Sequence, residues 1–140
     1  MDTSIEKRAV IFMRARDIGS DGHRDRHIED SMIAAQRQQC LEAADRLNAE
    51  VVREYAERGG AGKLDNRPVL QLMLDELRAL HDADYVIVTS LDRLTPMSRQ
   101  DWARLNLELE ADGAELVIAG DTLAAYQTIR TNIDEVLSYD

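Results

Sequence analysis

Arginines gather at a few short stretches of this chain, and the first of those stretches carries a serine. "VIFMRARDIGS", Val10 to Ser20, is apolar as far as Met13, then presents Arg14 and Arg16, then Gly19 and Ser20. Arg58 and Arg67 flank a segment rich in glycine, and Asp92 and Arg93 stand in "LDRLTP". A guanidinium keeps its proton and grips oxyanions in a two-pronged fork, so converging arginines suit a phosphate or a carboxylate ligand. They equally suit solvent, or pairing with the nearby acids Glu57, Asp65 and Asp92, and the residue pattern leaves both readings open. Ser20 is four residues beyond Arg16. Four extended residues span up to ~13 Å, so the hydroxyl can fold back toward the arginines or point away.

Other chemistries find less support. His23 and His27 are four apart in a stretch that reads as loop, and no Cys/His cluster has metal-ligand spacing, so no metal is expected. "GGAGKLDN" lacks the Walker spacing, so no nucleotide or other cofactor is expected. Gly59, Gly60 and Gly62 form either a flexible loop or a backbone nest for an anion. Cys40 is the single cysteine; it falls in a helical pattern and reads as core. One cysteine allows no intrachain disulfide, and the expected location is a reducing cytoplasm.

These residues need elements to hold them, and strand and helix signals alternate. Ala9–Met13 reads as a strand buried on both faces. A polar loop over 17–30 follows. Ile33, Gln36, Cys40, Ala44 and Leu47 recur at helical spacing, predicting a helix over 29–48, with Ser31 as a cap near its start. Glu50–Tyr55 is a second strand and 56–66 a second loop. Asn66 can cap the next helix, with Pro68 in its first turn and Val69, Leu70, Met73, Leu74, Leu77 and Leu80 on its apolar face. "DYVIVTS" is the third strand, and 91–97 the third loop. Ser98 with Asp101 resembles a helix start, and Trp102, Leu105 and Leu109 point that helix inward. "ELVIAG" is the fourth strand, and 122–138 the last helix. The order βαβαβαβα predicts an α/β fold: a mainly parallel sheet of four to five strands, with helices on both faces in three layers. Ligands in such folds sit at the carboxyl ends of the strands. The loops 14–28, 56–66 and 91–97 lie there, and each brings arginine.

Four motifs then join up. "FMRAR" (Phe12–Arg16) resembles the Tyr-x-Arg-Val-Ser of the serine recombinases, the resolvase/invertase family. "SMIAAQRQQC" (Ser31–Cys40) resembles that family's helix with serine, glutamine and cysteine. "ERGGAGKLDNRPVLQLML" (Glu57–Leu74) resembles its Asp-x-Gly-x-Ser-Gly…Arg-Pro segment, and "VTSLDRLTP" (Val88–Pro96) its Leu-Asp-Arg-Leu-Ser-Arg. The resemblance covers roughly 8–121. It implies a resolvase-like catalytic domain, in which a serine attacks a DNA phosphodiester to form a phosphoserine intermediate. It maps Arg14, Arg67 and Arg93 onto the family's active arginines and Asp92 onto their partner, without metal or cofactor.

The departures fall on the chemistry itself. Arg16 occupies the position of the nucleophilic serine, and a guanidinium is not a nucleophile. Pro96 replaces a further arginine, and Ala61 a serine. Without the nucleophile the covalent route is gone, while Arg14, Arg16, Arg67 and Arg93 still compose an anion-binding set. The resemblance therefore implies a recombination-related domain without catalysis, acting as a binding or regulatory module on a full-length recombinase or on a second copy of itself. Two alternatives stay open: an active strand-exchange enzyme using a displaced Ser20, with DNA binding supplied by another chain, and a remnant without activity.

Composition sets the partners. The chain of 140 residues has net charge −10 and reads as one domain over 1–140, a core of about 8–121 plus the helix at about 122–138. From residue 101 onward nine acids face two basic residues, a segment that repels nucleic acid. No separate DNA-binding domain is evident, so DNA contact is expected to be weak or through a partner. No apolar run approaches a membrane span.

Overall fold

The computed structural model describes residues 7–15, 26–58, 67–90 and 98–119; of Arg26 and Trp102 only the backbone is described. The elements are β1 (Lys7–Ala15), α1 (Arg26–Arg46), β2 (Ala49–Arg58), α2 (Pro68–Leu80), β3 (Tyr85–Val88), α3 (Arg99–Ala111) and β4 (Glu115–Ile118). All strand pairs are parallel, in the order β2-β1-β3-β4. Sequential strands joined through helices must run parallel, and the right-handed crossover then sends helices to both faces. The expected three-layer α/β architecture is what forms.

Two apolar layers sandwich the sheet. Ala9, Ile11 and Met13 pack with Cys40, Ala43 and Ala44 of α1. Val10 and Phe12 pack with Leu70, Met73, Leu74 and Leu77 of α2 and with Leu105 and Leu109 of α3. Strand β1 is central, so Ala9 through Ala15 are all buried, which explains an apolar run without alternation. Cys40 is fully buried, as its place in the helical pattern implies, and its thiol donates to the Ile87 carbonyl at 3.8 Å.

Several boundaries differ from the sequence reading. Both β1 and β2 run longer than their apolar cores, so Arg14, Glu57 and Arg58 belong to strands rather than to the loops 14–28 and 56–66. Parallel pairing supplies backbone bonds there that no side-chain pattern reveals. Helix α1 starts at Arg26, inside the expected polar loop, and Ser31 sits within the helix instead of capping it. Leu80, expected on the buried face of α2, is half exposed at the helix end. The residue preceding α2 is Arg67, with no side-chain cap, and Pro68 follows it in the first turn. Ser98 does cap α3: its hydroxyl accepts from the Asp101 amide at 3.0 Å. Asn66 and the helix over 122–138 lie outside the described residues.

One irregularity decides which side chains face the site. Ala9 pairs with Val51 but Val10 pairs with Arg53, so Val52 is an extra residue in β2. A single-residue insertion flips every later side chain to the other face. Val51 packs on the α1 side, whereas Val52 and Tyr55 pack on the α2 side. Glu57, two residues beyond Tyr55, follows it onto that side.

Candidate functional site

At the carboxyl ends of β1 and β2, Arg14 and Glu57 are direct neighbours in the register. Side chains paired across parallel strands share a face, so the two charges meet. Arg14 Nε lies 3.5 Å from Glu57 Oε1. Arg67 arrives from the start of α2, and its Nε and Nη2 both donate to the same oxygen, at 2.9 and 2.5 Å. The Arg67 guanidinium also stands over the Phe12 ring, 5.8 Å from its centroid. Arg14, Glu57 and Arg67 are each at most 4% exposed. This is a buried cluster of two cations and one anion, held together by the carboxylate.

Glu57 spends one oxygen on both arginines. Its Oε2 is buried and has no hydrogen-bond partner. A buried, uncompensated polar atom is costly, so the site holds its geometry against a local penalty. Neither guanidinium can lose its proton or act as a nucleophile. Chemically the cluster's guanidinium groups are oriented donors of the kind that bind oxyanions.

The backbone of Arg14 is held as firmly as its side chain. The Arg14 amide donates to Gln36 Oε1 at 2.9 Å, and Gln36 Nε2 donates to the Arg14 carbonyl at 2.7 Å. Gln36 is a buried polar residue on the inward face of α1 that also carries Cys40, Ala43 and Ala44. Arg58, on the opposite face from Glu57, turns to α1 and pairs with Asp30 at 2.6 Å and the fully buried Glu29 at 3.6 Å.

Along the same face of β2 a second polar group ties down α2. Arg53 Nη1 donates to Asp82 at 2.6 Å and its Nε to the Tyr55 hydroxyl at 2.6 Å, while Tyr55 donates to Glu76 at 2.5 Å. Burial alone would lower the Arg53 pKa; the bonds to Asp82 and Tyr55 outweigh it and raise it. The bond from Arg53 holds Asp82 below the ordinary carboxylate range. Burial first, then the bond to Glu76, pushes the Tyr55 phenol up to about 12.

Of the residues singled out from sequence, the structure brings Arg14 and Arg67 together on Glu57, one of the acids named as an alternative partner. Arg16, Ser20, Asp92 and Arg93 lie outside the described residues. Gln36 was legible as a helix-face residue, but its brace on Arg14 was not; a lone polar residue in an apolar stripe was the available signal. Among the described residues no group of three or more His, Cys, Asp or Glu side chains is placed to hold a metal ion. No described helix is long and apolar enough to cross a membrane.

The family model for the resolvase N-terminal domain matches residues 23–138. This chain belongs to the resolvase N-terminal domain family. Solved structures agree on the fold. The resolvase-family chain is similar to the N-terminal catalytic domain of TP901-1 integrase, at 19% identity over 92% of this chain and 95% of that one, with TM-score 0.66. It is similar to the C-terminal catalytic domain of ISC1926 TnpA, an IS607-like serine recombinase, at 19% identity over 91% and 81%, TM-score 0.64. A resolvase family site-specific recombinase from Streptococcus pneumoniae gives 17% identity over 93% and 89%, TM-score 0.63. No curated protein matches the chain. The fold is that of the serine recombinase catalytic domains among these structures.

Proposed function

We propose that this chain is a resolvase-type domain that has lost strand-exchange catalysis and serves recombination as a binding or regulatory module. The observation that carries the reading is Arg16. It follows directly on the strand end that holds Arg14, at the place where the resembled motif needs its serine. A cation there adds to Arg14 and Arg67 and supplies nothing that can attack phosphorus. The set Arg14, Arg16, Arg67 and Arg93, with Asp92 orienting, is then an anion clamp for a DNA phosphate. The acidity of the chain favours a protein partner as the main contact: a full-length recombinase or a second copy, with DNA reached weakly or through it. The cytoplasm is the proposed setting, and no metal or nucleotide enters.

The test is a search for an SDS-stable protein–DNA adduct after incubation of the chain with supercoiled DNA, alone and with a resolvase-family recombinase. The expected result is no adduct from this chain, and co-sedimentation with the recombinase or with itself. An adduct formed by the native chain and lost in Ser20→Ala would replace this reading with a working enzyme using a displaced serine.

A further inference from the structure

We infer that Gln36 is a positioning residue for the arginine site, acting as a one-residue strand that fixes Arg14. In a parallel strand the N–H and C=O of one residue point to the same flank, and the flank alternates from residue to residue. The Arg8 carbonyl accepts from the Asp84 amide on the β3 side, so Arg14, six residues on, faces that side too. The β1–β3 ladder ends at the Ile11–Ile87 pair. Arg14 therefore reaches past its neighbour with both backbone groups directed where no ladder pairing continues. The Gln36 carboxamide has the acceptor and the donor of a peptide group, and it fills both places at 2.9 and 2.7 Å. Leucine there would pack but leave two buried backbone groups unpaired. On the other flank, Glu57 fixes the guanidinium. Between them, Arg14 is held at backbone and at side chain. The functional half of this inference rests on the proposed anion reading.

Amide exchange and phosphate titration by NMR test it on the full chain. In Gln36→Leu, losing two hydrogen bonds should speed exchange of the Arg14 amide about 30-fold, while the Leu74 and Ile87 amides keep their protection. Titration with inorganic phosphate should move the Arg14 and Arg67 Nε–H signals in the native chain, and bind less tightly in the variant. Equal loss of protection at Leu74 and Ile87 would mean a merely structural role and overturn the inference. So would unchanged Arg14 exchange and unchanged phosphate binding. If the native chain ignores phosphate but Arg14 still responds to Gln36→Leu, the anion reading fails and the bracing of Arg14 stands. Should the variant not fold, the native chain decides: slow exchange of the Gln36 side-chain amide protons supports the bond to Arg14, and exchange at the solvent rate overturns it.

Discussion

Glu57 is the residue on which the site turns. It pairs with two buried guanidinium groups and is itself enclosed. Glu57→Gln removes the carboxylate that both guanidinium groups share and should destabilise the fold by about 3–5 kcal/mol, read as a drop in the urea midpoint. The desolvation cost vanishes when all three charges are removed together. Replacing the cluster by apolar side chains, Arg14→Met with Glu57→Leu and Arg67→Met, should therefore cost less than Glu57→Gln alone. The opposite order would mean that the ions contribute net stability. Glu57 could be read from sequence only as one of three acids near the arginines; its burial and its register with Arg14 come from the sheet.

At the scale of elements, α2 and the residues flanking it are tied to β2 by Arg67 to Glu57, Glu76 to Tyr55, and Asp82 to Arg53. Its placement is thus polar at the sheet edge and apolar beneath, and the first tie is part of the site. Asp82 has a lowered pKa in the fold because Arg53 bonds the carboxylate. A depressed carboxyl contributes stability that is present above its unfolded pKa, about 4, and is lost as pH falls below it. Asp82→Asn should flatten the acid limb of the stability curve below about pH 4, measured by denaturant midpoints. An unchanged limb would assign acid sensitivity to other carboxylates. The bulge at Val52 governs the same assembly. It turns Arg53, Tyr55 and Glu57 toward α2, and nothing in "AEVVREYAER" announces it.

At the scale of the whole molecule, alkaline pH weakens the fold as well as acid. Burial, then the nearby Glu54 charge, pushes the Cys40 thiol from 9.0 up to about 12. Tyr55 moves from 10.0 to about 12. Both stay protonated in the fold where the unfolded chain has begun to ionise, so their contribution is whole below about pH 9 and is lost as pH rises toward about 12. Urea midpoints from pH 8 to 11 should fall, and the double variant Cys40→Ala with Tyr55→Phe should fall less steeply. Equal slopes would place the alkaline sensitivity elsewhere.

The sequence by itself determined the α/β class, the alternation of strands and helices, the buried Cys40, the Ser98 cap and the family resemblance. Each of these follows from local periodicity, from capping chemistry or from motifs in order along the chain. The resemblance that sets Arg16 at the motif's serine position is likewise read along the chain alone, since side-chain identity is a fact of sequence. Only the tertiary structure decided that Arg14 and Arg67 meet on Glu57 and that Gln36 completes the bonding of β1. Those contacts join residues 10 to 43 positions apart. They depend on strand register, on one inserted residue in β2 and on the start of α2, which are settled by packing between elements and leave no periodic trace in any one of them.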